Sequence, residues 1–301
     1  VLLFFLDGVG LGGPDPARNP FVSAQMPHLT ALLGEGWFLQ GNGRIHTSRA
    51  SFVPTDASLG VDGRPQSATG QAAILTGQNV PRLIGEHYGP KPNQAVRNCL
   101  QQGTLFHDAV ARQEAAALLT PYPPQFFQAI ASGKRIYSSV PQAVVAAGLP
   151  LLTVDDLRNG TAVSPTFTGQ GWRDVLGIAD VPILTLAQAG QRIATLAQKH
   201  RFSFFEHWPS DRAGHRGTLA EAAAHLQMVD EVIGGLLAGW DDQNGLLILT
   251  SDHGNIEEKE HRLHTRNPVP TLLVGRNHAQ WAAQINDLTD IAGVVRQALD
   301  W

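Results

Sequence analysis

The sequence predicts an α/β fold: a doubly wound, mainly parallel sheet with helices on both faces and a small inserted cap. Three observations predict it. Short apolar-rich, strand-like runs, continuous at 1–6 and recurring at 202–205 and 246–250, alternate with stretches of helical period. Each run ends in polar or Gly-containing residues, as buried parallel strands do. Strand and helix then alternate over most of the chain, the pattern of a sheet covered on both sides.

The elements follow in order. The run 1–6 is a strand, and Asp7 sits just past its carboxyl end, the edge where open α/β sheets bind ligands. Residues 8–20 are a Gly/Pro-rich loop, 26–33 a short helix, and 40–66 turn-rich. Ser67 opens a helix of small residues that runs to Leu75. Residues 78–100 are expected to be irregular, 104–112 helical and 115–119 a buried strand. Residues 122–184 hold Pro-Pro, aromatics and scattered Gly, Thr and Ser with no strong period. They are taken as the inserted cap, between core segments 1–121 and 185–301. The core resumes with a helix at 186–200, then a strand at 202–205 that ends in Glu206 and His207. In the helix 218–238, Leu226, Val229, Ile233, Leu236 and Leu237 share one face. A strand at 246–250 leads into Ser251-Asp252-His253-Gly254-Asn255. Another strand covers 269–274, and a helix at 290–299 closes the chain.

Composition narrows the function. Of 301 residues, 43% are apolar and 16% charged, which excludes a disordered chain. The net charge of −4 argues against a general nucleic-acid binder, which needs a basic stripe. A single cysteine, Cys99, excludes a disulfide framework and a cysteine-cluster metal site. No run is long enough to span a membrane, and no signal peptide is visible. The chain opens without Met, directly in a strand-like run, which leaves room for a short leader that is missing. The expectation is a soluble, cytoplasmic protein. Histidine stands out, with 12 residues against 3 Tyr, and invites a search for metal ligands.

Three strand ends carry acidic or His residues: Asp7, Asp211 with His215, and Asp252 with His253. His264 lies just before a strand. Carboxylates gathered at one sheet edge repel one another and call for a cation. A mixed Asp/His set suits zinc or manganese better than calcium or magnesium alone. Ser67, at a helix start, sits where backbone N–H groups favour an anion. A hydroxyl beside two cations ionises near neutral pH and attacks phosphorus. Each piece alone has a plainer reading, such as a helix cap for Ser67 or a polar turn for Asp252-His253-Gly254. The ordered set does not.

That set resembles the alkaline phosphatase superfamily, and within it cofactor-independent phosphoglycerate mutase and phosphopentomutase most. Leu6-Asp7-Gly8-Val9-Gly10 resembles the first-strand D-G motif, and Ser67-Ala68-Thr69-Gly70 the S/T-x-x-G nucleophile turn. Asp211-Arg212-Ala213-Gly214-His215 is similar to the mutase D-x-x-G-H. Thr250-Ser251-Asp252-His253-Gly254-Asn255 resembles the T-[SA]-D-H-G-N block. His264-Thr265-Arg266-Asn267-Pro268-Val269-Pro270 resembles H-T-x-N-P-V-P. The resemblance implies one metal on Asp211, His215 and His264. It implies a second on Asp7, Asp252 and His253, with Ser67 bridging towards it as nucleophile. Glu206, five residues before Asp211, stands where alkaline phosphatases place a third-metal ligand. It is either a magnesium ligand or a plain strand-end carboxylate. His261 is a neighbour of His264 without its sequence context.

There are departures. The mutases carry His after the turn's Gly, where this chain has Gln71. The long mutase domain that supplies most substrate arginines has no room here. The cap stretch holds only Lys134, Arg135, Arg158 and Arg173 as cations. The absence of C-x-P-S-R excludes the sulfatase route. His87 and Lys91 are read as substrate contacts or as a solvated loop, and Arg64 as a phosphate contact or a surface residue. Phe126, Phe127, Phe167 and Trp172 are read as a small cap core in preference to a stacking platform. The expectation is a two-metal phosphoryl-transfer enzyme acting on a phosphorylated small molecule through Ser67. A phosphohydrolase is favoured over a phosphomutase because the cap is small and poor in cations. A metal-binding module without turnover is the third reading.

Overall fold

A computed structural model describes residues 1–301. Its seven strands are β1 (Leu2–Leu6), β2 (Ile45–His46), β3 (Ala50–Thr55), β4 (Ala116–Leu118), β5 (Phe202–His207), β6 (Leu246–Thr250) and β7 (Val269–Gly275). They form one sheet in the order β2-β3-β7-β6-β1-β5-β4. β6, β1, β5 and β4 run parallel. On the other wing, β7 is antiparallel to β6, β3 to β7 and β2 to β3. The fold is α/β with a parallel centre.

β1 explains why a continuous apolar run is needed. Leu3 and Phe5 enter the core on one side of the sheet, and Leu2, Phe4 and Leu6 the core on the other. A strand buried on both faces cannot alternate with polar residues. Helices Ser67–Thr76, Gln94–Gln102, Leu105–Ala111 and Asp290–Leu299 cover the first face. Helices Pro27–Leu33, Leu186–Ala197 and Leu219–Ala238 cover the second. The last two open with capping boxes, Thr185 with Gln188 and Thr218 with Glu221. No helix is long and apolar enough to cross a membrane.

Three stretches differ from expectation. Residues 40–66 hold β2 and β3 as well as turns. Pro54 in β3 faces Pro270 in β7 at a non-hydrogen-bonded rung, where the missing N–H groups would point away from the partner strand. Residues 78–100 contain helices Val80–Ile84 and Gln94–Gln102, capped by the side chains of Asn79 and Asn93. Asp211 and His215 lie on a helix, Pro209–Arg216, and not on a strand-end loop.

The stretch 122–184 is helical in four places, Pro124–Ala131, Ser139–Ala146, Val154–Arg158 and Gln170–Asp174. Its first half places Phe126, Val140 and Val144 in the same core as Phe204 of β5. Its second half has a cluster of its own, Val154, Leu157, Trp172 and Val181. Phe167 packs in the opposite core, its ring parallel to that of His207 at 4.3 Å.

Candidate metal centre and nucleophile

The parallel strands deliver their carboxyl ends to one edge. Asp7 follows β1, the helix bearing Asp211 follows β5, and Asp252 follows β6. His264 precedes its strand, so a parallel β7 would have sent it to the far edge. Because β7 runs antiparallel to β6, its start lies beside the end of β6, and His264 joins the others.

Two groups of donors result. Asp211, His215 and His264 bring one ligand atom each within 4.8 Å of one another, as do Asp7, Asp211 and His253. In the outer group, His215 Nε2 and His264 Nε2 are 3.1 Å apart, and Asp211 Oδ1 lies 3.4 and 3.7 Å from them. In the inner group, His253 Nε2 lies 3.3 Å from Asp7 Oδ1 and 3.7 Å from Asp252 Oδ2. Asp211 belongs to both. The seven sequence-selected residues therefore converge, Ser67 included: its Oγ is 3.0 Å from His253 Nε2.

Glycines permit this convergence. Gly8 has φ +70, and a Cβ there would lie 2.6 Å from Asp211 Oδ1. A Cβ on Gly70 would lie 2.9 Å from Cβ and the carbonyl of Asp252. The D-G and S-x-x-G spacings therefore have steric reasons. Ser67 is the first residue of its helix. The Thr69 N–H is taken by the Tyr88 carbonyl and that of Gly70 by the Gln66 carbonyl. The N–H groups of Ser67 and Ala68 have no partner in the protein and remain for an anion.

The donor chemistry fits divalent cations. His215 Nδ1 faces the Arg262 carbonyl at 2.9 Å, and His264 Nδ1 faces the Pro65 carbonyl at 2.8 Å. Carbonyls only accept, so Nδ1 carries a proton in both rings and a neutral ring leaves Nε2 free to act as ligand. Both Nε2 lone pairs then point at each other and at a carboxylate oxygen. Burial, followed by the charge of His253, lowers His264 to about 4, which keeps it neutral. The inner group retains protons instead. Burial and the neighbouring Asp252 raise Asp7 to about 8, and burial raises Asp252 to about 6. Burial opposes a charge on His253, but Asp252 and Asp7 outweigh it and carry the ring up to about 10. Asp7 Oδ1 is buried and receives no hydrogen bond.

Gln71, in place of the mutase His, points one amide nitrogen at Asp7 Oδ2 (3.2 Å) and Asp252 Oδ2 (3.3 Å). Glu206 is buried and outside both groups; its Oε2 accepts from the Tyr122 hydroxyl at 2.9 Å. Burial raises it to about 7. His261 belongs to neither group and lines an open cleft of about 470 Å³ with Arg64, His264 and Arg266. His87 Nε2 is held by the Ser58 and Val61 carbonyls, which ties its loop down.

Sequence reasoning missed Glu257. This buried carboxylate accepts from Gly10 N, Asn255 N, Thr265 Oγ1 and Asn267 Nδ2. It thus joins the loops that follow β1 and β6 to the one that precedes β7. The only available signal was an acidic residue two positions after Asn255, and its partners are remote in sequence.

A family profile described as the metalloenzyme superfamily matches residues 185–300. A 2,3-bisphosphoglycerate-independent phosphoglycerate mutase from Thermomicrobium roseum is 34% identical over 29% of this chain and 18% of its own length. Another, from Lawsonia intracellularis, is 25% identical over 61% of this chain and 41% of its own. The matches therefore span less than half of these relatives. A protein from Pyrococcus horikoshii has a similar fold, with a TM-score of 0.56 at 15% identity over 99% of this chain and 96% of its own. So does the alkaline phosphatase of the Antarctic bacterium TAB5, with a TM-score of 0.53 at 13% identity over 100% and 98%. Motif order, matched segment and fold agree in supporting an alkaline phosphatase-superfamily metalloenzyme that resembles cofactor-independent phosphoglycerate mutase.

Proposed function

We propose that this protein transfers phosphoryl groups from phosphorylated small molecules through Ser67, using two divalent cations. The observation that carries the reading is Ser67 Oγ, 3.0 Å from His253 Nε2, at a helix start where two N–H groups are free. Asp211, His215 and His264 would hold one cation, and Asp7, Asp252 and His253 the other. The Asp/His donor set favours zinc or manganese. When bound, the cations neutralise charge on the phosphoryl group and help ionise the Ser67 hydroxyl. Ser67 Oγ forms a bond to phosphorus as the ester P–O bond breaks, and the departing oxygen takes up a proton. The free N–H groups of Ser67 and Ala68 orient the phosphoryl oxygens. Gln71 holds Asp7 and Asp252 in place. Water then releases phosphate from Ser67 and gives a phosphohydrolase.

The phosphomutase alternative, return of the phosphoryl group to a second oxygen of the substrate, is supported by the named activity of the curated relatives. Hydrolysis is favoured by the clefts that flank the site, which admit water. The cap role, assigned to 122–184, rests within this reading on its second half, where a separate cluster gathers. A cytoplasmic location belongs to the same reading.

One sample decides between the two. Metal-loaded protein is given sugar and glycerate phosphates, and inorganic phosphate and isomerised ester are followed together. Phosphate release without isomer supports the hydrolase, and clean isomerisation supports the mutase. Ser67→Ala is expected to lower either rate by several orders of magnitude while the metals stay bound. Near-normal turnover by that variant would refute attack by Ser67.

A further inference from the structure

Two clefts flank the site, and they differ in chemistry. The cleft with Arg64, His261 and Arg266 has no apolar side chain in its walls. The other, of about 450 Å³, is walled by Tyr122, Phe126, Trp172 and Trp208, with Arg135 and Arg212 at its margin. That volume is of the size that holds small ligands. Its walls continue into the elements that carry the candidate metal ligands. Trp208 precedes the helix Pro209–Arg216, and Arg212 follows Asp211 on it. The Asp7 N–H donates to the carbonyl of His207, the residue before Trp208. The Tyr122 hydroxyl donates to Glu206, which pairs in register with Phe5 of β1.

The walls have jobs of unequal kind. Phe126 belongs to the main core, and Trp172 to the small cluster, its Nε1 donating to Ser164 Oγ. Trp208 belongs to no core cluster and is 40% exposed. Folding gains little from a large aromatic left in that position. The cations are uncommitted as well. The side chains of Arg135, Arg212 and Lys91 make no ion pair and no hydrogen bond. The Arg135 guanidinium lies 4.9 Å over the Phe126 ring.

We propose that this cleft seats the alcohol half of the substrate, a flat unsaturated ring carrying a second anionic group, with the ring against Trp208 and the anion met by Arg212 and Arg135. The inference rests on the phosphoryl-transfer reading and adds the substrate class. Aromatic walls reward a ring by area and stacking, and free guanidiniums reward a carboxylate or second phosphate by paired hydrogen bonds. A small aliphatic phosphate would use neither wall.

Binding and turnover test it on the metal-loaded protein. The probes are two phosphonates of equal charge, 4-carboxybenzylphosphonate and 2-carboxyethylphosphonate, titrated by calorimetry. The ring compound is expected to bind about tenfold tighter, and Trp208→Ala to remove that advantage. Arg212→Gln is expected to lower affinity for 4-carboxybenzylphosphonate more than for benzylphosphonate. In turnover, the ratio of kcat/KM for 4-carboxyphenyl phosphate to that for glycerol 3-phosphate is expected to fall about tenfold in Trp208→Ala. A nucleoside 5′-monophosphate, run beside the aryl ester, separates a heteroaromatic from an aryl source of the ring. Equal affinity for the two charged phosphonates with turnover intact overturns this inference alone. So does a kcat/KM ratio unmoved by Trp208→Ala. Failure to bind any phosphonate together with no turnover of any ester overturns the phosphoryl-transfer reading and this inference with it.

Discussion

The outer and inner donor groups share Asp211 but solve different electrostatic problems. Each outer Nδ1 is tied to a backbone carbonyl, so the ring geometry is fixed before any ion arrives. The inner group packs Asp7, Asp252 and His253 into a fully buried space and holds them with protons and opposed charges. One group is preorganised and the other is frustrated until a cation replaces the protons. A metal centre can thus contain a half built by hydrogen bonding and a half built by charge.

The largest break of this comparison comes from the inner carboxylates. Asp7→Ala or Asp252→Ala is expected to lose one of two metal equivalents and about three orders of magnitude or more in phosphoryl transfer. His264→Ala should lose the other equivalent. Elemental analysis beside an activity assay checks both, and loss of both ions in every variant would mean that the groups are not separable.

Next in size is Glu257→Ala. Because Glu257 joins loops that serve both groups, metal affinity at both is expected to weaken by about 10- to 100-fold, as for other supports of metal ligands. Competition with a chelator reads it. An effect confined to one site would show that the loops are held independently.

Acid–base behaviour of the chelated protein should separate the groups by sign. Asp7 keeps a proton up to about 8 when folded and loses it near 4 when unfolded. Between those values the folded state binds more protons, so stability falls as pH rises. His253, raised to about 10, acts in the same direction above its unfolded value. His264 is lowered to about 4, so between 4 and 6.5 the unfolded state binds more protons and stability rises with pH. Denaturant midpoints across pH should show a decline that Asp7→Asn flattens and an acid-side rise that His264→Gln flattens. Metal loading should abolish the decline. The smallest effect belongs to His261→Ala, which stands beside the outer group without joining it. Metal content and rate are expected to stay within about twofold.

Most of the fold's centre was legible because burial on both faces leaves a dominantly apolar run, unbroken at β1 and interrupted in β5 by Ser203 before its polar end. β3 was not, since Ala50–Thr55 carries Ser51 and Pro54 between Gly- and Ser-rich flanks, and its pairing is decided by β7. Helix Pro209–Arg216 was hidden by its Pro start and central Gly214. The site was more legible than the fold around it. Gly8 and Gly70 stand where a side chain would collide with Asp211 and Asp252, so sterics ties each motif's spacing to the candidate ligands. Glu257 and Trp208 escaped notice, and Phe126 and Trp172 were read as a cap core, because their partners come from distant elements and leave no local period.

The antiparallel turn-back of β7 has a consequence for assembly. Gly8 and Asp252, joined by a hydrogen bond, are 244 residues apart, and His264 is the last donor along the chain. Asp7 emerges first during synthesis and waits for Asp211, Asp252 and His253, while the outer group closes only when β7 docks on β6. Such long-range closure comes late in folding. The proposed pair of sites is therefore complete only once His264 is in place: a chain stalled or cut before it can present acidic residues and imidazoles, but not both donor groups.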